Sequence, residues 1–226
     1  MKKELLVGLD FSAPIPLHTD FSSGTFEGFE VDLLQLVSEK LDLELRYEVS
    51  LWKDVLQKLQ QGDIDIICTA VTITPARKQV LDFSIPYLSV RLCAVTNSAD
   101  KITTMDELKT KTIGVRRATE QEKFMREFFP ESRTFVSDTN DELYGLLTKR
   151  EIGAVIDDSP IAGAFARSSP YLTVSFFFPG TKSEYAIALK KGNTELRNSL
   201  NTALNEIKIS GHWQKLYDKW FTGMQL

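Results

Sequence analysis

Gly62-Asp63-Ile64-Asp65-Ile66-Ile67, running on into Thr72-Ile73-Thr74-Pro75-Ala76-Arg77, closes the first of two βαβαβ runs in this 226-residue chain. Ahead of it the sequence predicts a strand at Leu5 to Leu9, a helix from Glu30 to Leu41, a strand from Leu43 to Val49 and a helix from Trp52 to Gln60. In that last helix Trp52, Val55, Leu56 and Leu59 recur at helical spacing while Lys53, Asp54, Lys58 and Gln60 face away, so one face is buried. The order then repeats: strand Thr112 to Arg116, helix Glu120 to Phe129, strand Ser132 to Val136, helix Asp141 to Lys149 and strand Glu151 to Ile156, with Asp157-Asp158-Ser159-Pro160 as the exit. Strands alternating with helices through short loops call for mainly parallel sheets with helices packed on them. One exit carries a cation and the other an anion, which suits a clamp for something zwitterionic.

Tyr87 to Thr96 reads as one long strand leading from the first lobe to the second, and Leu172 to Gly180 followed by Tyr185 to Leu189 as the strand returning. The first lobe is then expected to be discontinuous, residues 1–94 with 184–226, and the second to be 95–183, hinged on the two crossing strands. Thr194 to Ile207 and Gly211 to Phe221 are predicted helices whose apolar faces, including Trp213, Leu216, Tyr217 and Trp220, belong to the core.

Composition narrows the function. With 42% hydrophobic residues, 8 Pro and 12 Gly the chain is an ordinary globular one, and its net charge of −4 leaves no basic footprint for a nucleic acid. Lys2-Lys3, Arg116-Arg117 and Lys190-Lys191 are too short to make one. No apolar run approaches the roughly 18 residues of a membrane span. Met1-Lys2-Lys3-Glu4 leads straight into strand residues with no small-residue cleavage site, so the expectation is a cytosolic protein or a mature or excised segment. Cys68 and Cys93, with only His18 and His212 besides, show no zinc spacing, and no cofactor or metal is expected. The two cysteines either pair or act as small buried apolar groups.

Arg77 is the sharpest single position. Thr74 followed by Pro75 is a cap and first-turn pattern that puts Arg77 third in its helix. A cation there opposes the helix dipole at about 0.3–1 kcal/mol, which an anion held by the guanidinium and the first-turn amides would offset. The plainer alternative is a salt bridge to Asp82 or Glu30. Asp158 is the counterpart: with Pro160 opening a helix and Ser159 capping it, Asp158 lies just outside, placed to accept an ammonium, unless it is merely a helix-start carboxylate. Thr119-Glu120-Gln121-Glu122 fits a capping box, whose helix also starts at the loop after a parallel strand where open α/β sheets bind ligands. Asp10 and Arg116 occupy matching loops of the two lobes and either read a ligand side chain or are solvated surface charges.

Val7-Gly8-Leu9-Asp10, Gly28-Phe29-Glu30-Val31-Asp32-Leu33, Gly62-Asp63-Ile64-Asp65 and above all Thr72-Ile73-Thr74-Pro75-Ala76-Arg77 leading to Asp82-Phe83-Ser84-Ile85-Pro86-Tyr87 carry a resemblance. Over essentially its whole length the chain resembles the family-3 extracytoplasmic solute-binding proteins for polar amino acids. The fold this implies is α/β, a two-lobed periplasmic-binding-protein type II (Venus flytrap) architecture with two crossover hinge strands. The resemblance implies that Arg77 grips the ligand α-carboxylate, that Asp158 takes the α-ammonium, that Thr69, Ala70 and Thr72 offer backbone and hydroxyl groups, and that Ala118 and Thr119 donate amides to the carboxylate. The chain departs from the pattern in having Ala13 where an aromatic often covers the ligand, with Phe11 and Trp52 as other walls. It also has Ala118 for the usual Gly, Arg116-Arg117 before it, and no hydroxyl at Ala70.

The function expected from this resemblance is an extracytoplasmic, periplasmic or extracellular binding protein. It would close on a polar α-amino acid between its lobes and deliver it to the membrane permease of an ABC transporter, as a monomer without nucleic acid. The same lobes also serve as input domains of sensor kinases and other membrane receptors, which the missing leader and Arg116-Arg117 would suit. Cyclohexadienyl dehydratases share the fold too, and Arg77 with Glu184 could hold a dicarboxylate, but no Ser/His/Asp set, metal cluster or phosphate loop accompanies them. Asp10 points to a polar or basic ligand side chain, Arg116 and Arg117 to an acidic or amide one.

Overall fold

A computed structural model describes residues 3–14, 17 and 25–224; Met1, Lys2, His18 and Leu226 lie outside the described residues. The chain divides into two compact units, Met1–Ser89 with Ser183–Gly223 and Val90–Lys182 with Met224–Leu226. In chain order the elements of the first stretch are β1 (Lys3–Asp10), α1 (Phe29–Leu41), β2 (Leu43–Ser50), α2 (Trp52–Gln61), β3 (Ile66–Ile67), α3 (Pro75–Val80), β4 (Leu81–Phe83) and β5 (Leu88–Val90). The second unit follows with β6 (Leu92–Asn97), α4 (Met105–Lys109), β7 (Thr112–Arg116), α5 (Glu120–Phe128), β8 (Arg133–Ser137), α6 (Asn140–Thr148), β9 (Ala154–Asp158), α7 (Ser159–Ser168) and β10 (Leu172–Phe177). The chain then returns to unit 1 through β11 (Ser183–Tyr185), β12 (Ala188–Lys190), α8 (Thr194–Ile209) and α9 (His212–Phe221).

Each unit is built on a five-stranded sheet, β2-β1-β3-β12-β4 in unit 1 and β10-β6-β9-β7-β8 in unit 2. Read from the parallel end the two have one plan: β1 lies parallel between β2 and β3, and β7 parallel between β8 and β9. An antiparallel strand comes next in each, β12 beside β3 and β6 beside β9. The repeat extends to the packing of the central strand. A Cβ at Gly8 of β1 would meet Ile64 Cδ1 at 2.4 Å and Val55 Cγ1 at 3.1 Å; one at Gly114 of β7 would meet Ile152 Cδ1 at 2.8 Å and Leu143 Cδ2 at 2.9 Å. Both strands are therefore bare where an apolar side chain from α2 or α6 closes on the sheet.

Apolar periodicity becomes core as the sequence predicts. Trp52, Val55 and Leu59 of α2 are buried with Ile64, Ile67, Val71, Leu81 and Ala188 in unit 1, and Ile113, Val115, Met125, Ala154, Ile156 and Phe178 make the corresponding core of unit 2. Leu200, Ala203, Leu204 and Ile207 form the buried face of α8. α9 departs from the expectation: Trp213, Leu216, Tyr217 and Trp220 are only half-buried and Phe221 is the buried residue, while the Trp213 indole N–H donates to the Tyr87 carbonyl at 2.7 Å.

The expected long strand from Tyr87 to Thr96 is broken in two at Arg91. The Arg91 N–H donates to Ser159 Oγ at 3.2 Å and its carbonyl accepts from Ser159 N–H at 2.8 Å, so the residue leaves the ladder. Beyond the break β6 pairs with β9 and β10, which places residues 92–94 in the second sheet. The segment from Leu172 is likewise a strand of that sheet, and β11, paired with β5, carries the chain back. Cys68 and Cys93 are free, buried thiols, pushed well above their ordinary pKa by burial. Among the described residues no helix is long and apolar enough to cross a membrane, and no three His, Cys, Asp or Glu side chains are grouped to hold a metal ion.

Candidate functional site

In unit 1 the singled-out residues collect at the C-terminal edge of the parallel strands. β1 ends on Asp10, which is 4% exposed; its N–H donates to Thr69 Oγ1 at 3.1 Å and its carboxylate accepts from Ser12 N–H at 3.3 Å. Phe11, next in the chain, stands 54% exposed, while Ala13 is buried. The segment after β3 is fastened to the return segment of unit 1, with Ala186 N–H on Val71 O, Ile73 N–H on Glu184 O and a bridge from Thr72 to Tyr185. Ala70 within it has a φ of 53°, a left-handed conformation that an alanine enters only at a cost.

Arg77 is the third residue of α3, with Thr74 as the cap whose Oγ1 accepts from the Arg77 N–H at 3.2 Å. Its Nη1 donates to Thr72 O at 2.9 Å, and its guanidinium carbon lies 5.1 Å from the centre of the Trp52 ring. Trp52 is itself core, so it supports Arg77 from beneath instead of forming an open wall. Asp82, the first of the alternative partners for Arg77, is engaged elsewhere: the Gly192 N–H that it accepts from, and then its pairing with Lys191 and Arg197, hold its carboxyl below the usual range. Glu30, the second, is fully buried and accepts from Ala70 N–H and the Tyr87 hydroxyl.

The same edge of unit 2 carries Arg116, Ala118, Thr119 and Asp158. Arg116, 8% exposed at the end of β7, donates from Nη2 to Asp138 O at 3.1 Å, and Arg117 pairs with the Asp138 carboxylate at 2.9 Å. Thr119 caps α5 through Oγ1 to Glu122 N–H at 3.3 Å, and its hydroxyl donates to Arg116 O at 2.7 Å. The capping box expected here differs by one residue. Glu122 reaches back to Ala118 N–H at 2.7 Å, because Ala118 turns left-handed with a φ of 59°. An incoming carboxylate seeking that amide meets Glu122 already there.

The start of α7 also differs from expectation. Asp158, 5% exposed, is itself the cap residue, without a side-chain cap bond, and Pro160 is the second helical residue. Ser159 is the first helical residue and not the cap, and its hydroxyl oxygen accepts from the Arg91 N–H. Behind Asp158, Asp157 accepts from Asp158 N–H at 2.8 Å and from the Tyr144 hydroxyl at 3.1 Å, with the Tyr144 ring stacked on Phe165 at 3.8 Å. Burial first, and then the neighbouring Asp158, push Asp157 up to about 7, although the Asp158 N–H, Arg116 and Tyr144 pull the other way.

Strand register equates the two edges. Gly8 pairs with Ile67 and Gly114 with Val155, so Asp10 corresponds to Arg116, Thr69 to Asp157 and Ala70 to Asp158. Equivalent places in the repeat thus carry opposite or complementary chemistry. Sequence reasoning missed the buried partners Tyr144 and Tyr87. An isolated tyrosine in an apolar stretch gives no warning that its hydroxyl meets a carboxylate.

The chain matches the model of the bacterial extracellular solute-binding proteins, family 3, over residues 5–223. The L-cystine-binding protein TcyJ of Escherichia coli K12 is 30% identical over 96% of this chain and 82% of its own length. The putative ABC transporter arginine-binding protein 2 of the same organism is 27% identical over 91% and 86%. An ancestral arginine-binding protein solved bound to arginine superposes with a TM-score of 0.90 at 29% identity, covering 98% of this chain and 99% of that one. The fold built from the doubled sheet is that of this solved neighbour, and the chain belongs to the bacterial extracellular solute-binding proteins, family 3.

Proposed function

We propose that this chain binds a polar α-amino acid outside the cytoplasm and hands it to the permease of an ABC transporter. Arg77 grips the α-carboxylate, with the first-turn amides of α3 and the Thr69–Thr72 segment beside it, and Asp158 takes the α-ammonium. Asp10, Phe11 and Arg116 border the side chain, Thr119 adds its amide, and the Ala118 amide joins it where the ligand carboxylate displaces Glu122. The observation that carries this reading is Arg77 itself, a cation in the first turn of a helix, stacked on a buried tryptophan and turned to the backbone of the Thr69–Thr72 segment. The related proteins are named for arginine and cystine, and the amino-acid headgroup common to both is what Arg77 and Asp158 are suited to read. The work asked of these groups is charge pairing, with no bond made or broken, so the reading is of a binder and not an enzyme.

A thermal-shift screen of the twenty amino acids and L-cystine tests it. A compound bound only by the folded form at about a hundred times its Kd adds about 2.7 kcal/mol, or about 5–10 °C in a chain of this size. One or more polar amino acids should give such a shift; no shift from any of them would overturn the proposal.

A further inference from the structure

One buried carboxyl of unit 1 sits behind the ligand segment instead of in it. Glu30, in the first turn of α1, is fully inaccessible, and its Oε1 accepts from Ala70 N–H at 2.7 Å and from the Tyr87 hydroxyl at 2.5 Å. Ala70 is the one left-handed residue of the Thr69–Thr72 segment. Its neighbours are the residues that face the site: Thr69 receives the Asp10 amide, and the Thr72 carbonyl receives the Arg77 guanidinium. The peptide that Glu30 holds therefore decides how these groups are aimed.

Glu30 is itself held from behind. Burial, and then the neighbouring Glu30, push the Tyr87 phenol well above its ordinary pKa, which keeps its hydroxyl a donor. The Tyr87 backbone is fixed on both sides, its N–H on Tyr185 O at 2.9 Å and its carbonyl on the Trp213 indole. The acid is thus a rigid strut between a fixed tyrosine and a strained alanine.

We propose that Glu30 is a positioning residue for amino-acid binding: by holding the Ala70 peptide in its left-handed conformation it sets the directions of Thr69, Thr72 and, through the Thr72 carbonyl, Arg77. This rests on the reading of Arg77 as the carboxylate grip. A purely structural Glu30 would lower the unfolding temperature of its variants and leave the affinity of the folded protein alone. A positioning Glu30 changes that affinity.

The test measures Kd by calorimetry for L-arginine, L-glutamine and L-cystine, at a temperature where circular dichroism shows every variant folded, on wild type, E30A, E30Q, Y87F and R77A. Backbone amide spectra of the same proteins follow Ala70. E30A should weaken binding about tenfold and shift the Ala70 amide upfield. E30Q still offers an oxygen to Ala70, so it should return both the affinity, to within about threefold, and the amide position. An E30A variant with wild-type Kd, or E30A and E30Q equally weak, overturns the positioning role. R77A at wild-type Kd overturns the reading of Arg77 instead, and a wild type that binds none of the three and none of the amino acids of the thermal screen overturns both. If E30A does not fold, Y87F takes its place: releasing the strut should weaken binding about threefold with a moved Ala70 amide, and an unmoved amide with unchanged Kd overturns the role.

Discussion

Alanine at position 77 is expected to weaken amino-acid binding about a hundredfold or more, at a smaller cost in stability. Charge-assisted hydrogen bonds contribute about 1.5–3 kcal/mol each, and a guanidinium can place two in parallel on one carboxylate. Losing both costs at least about 3 kcal/mol, and each 1.4 kcal/mol is about a factor of ten in Kd. What Arg77 gives the fold is smaller, one bond to the Thr72 carbonyl and a stack on Trp52, together about 1–2 kcal/mol. Lysine in its place keeps the charge and loses the fork, so R77K should recover only part of the affinity. Calorimetry against the best amino acid from the thermal screen decides the matter. Wild-type affinity in R77A would mean that the carboxylate is held elsewhere.

A second large effect concerns acidity and not ligand. An exposed aspartate ionises near 3.9, whereas Asp157 in the fold is pushed up to about 7 by burial and by Asp158. Between those two values Asp157 binds more protons in the folded form than in the unfolded one, so its contribution to stability falls as pH rises from about 4 to about 7. A displacement of about three pKa units corresponds to at most about 4 kcal/mol. D157N removes the titration while keeping an oxygen for the Asp158 N–H and an amide to face the Tyr144 hydroxyl. Urea unfolding of the two proteins from pH 4 to pH 8 should give curves that separate steadily, with D157N increasingly the more stable towards the alkaline end. Parallel curves would place the acid in water, contrary to its 4% exposure.

Much of the architecture is legible because it rests on period and order. The apolar rhythm of Trp52, Val55 and Leu59 and the repeat of strand and helix are local facts, and they survive folding. The Thr74–Arg77 cap is equally local. What the sequence hides depends on partners far along the chain. Ser159 looks like a cap until Arg91, 68 positions earlier, takes its hydroxyl oxygen. Tyr87 to Thr96 looks like one strand until the same pair interrupts it. Glu122 looks committed to Thr119 until Ala118 swings its amide into reach by a positive φ. Glu30 reads as a salt-bridge partner for Arg77, and nothing near it in sequence announces Ala70 or Tyr87 as its targets.

The place of β12 in the first sheet bears on how the molecule is made. Unit 2 is complete, apart from a few last residues, once synthesis has passed Lys182, but the strand that must lie between β3 and β4 has not yet been translated. Until it arrives, β3 and β4 present bare hydrogen-bonding edges inviting a neighbouring polypeptide. The nascent chain thus carries one finished half and one with a slot in its middle, and a ribosome that stalled near Lys182 would release a species prone to aggregate.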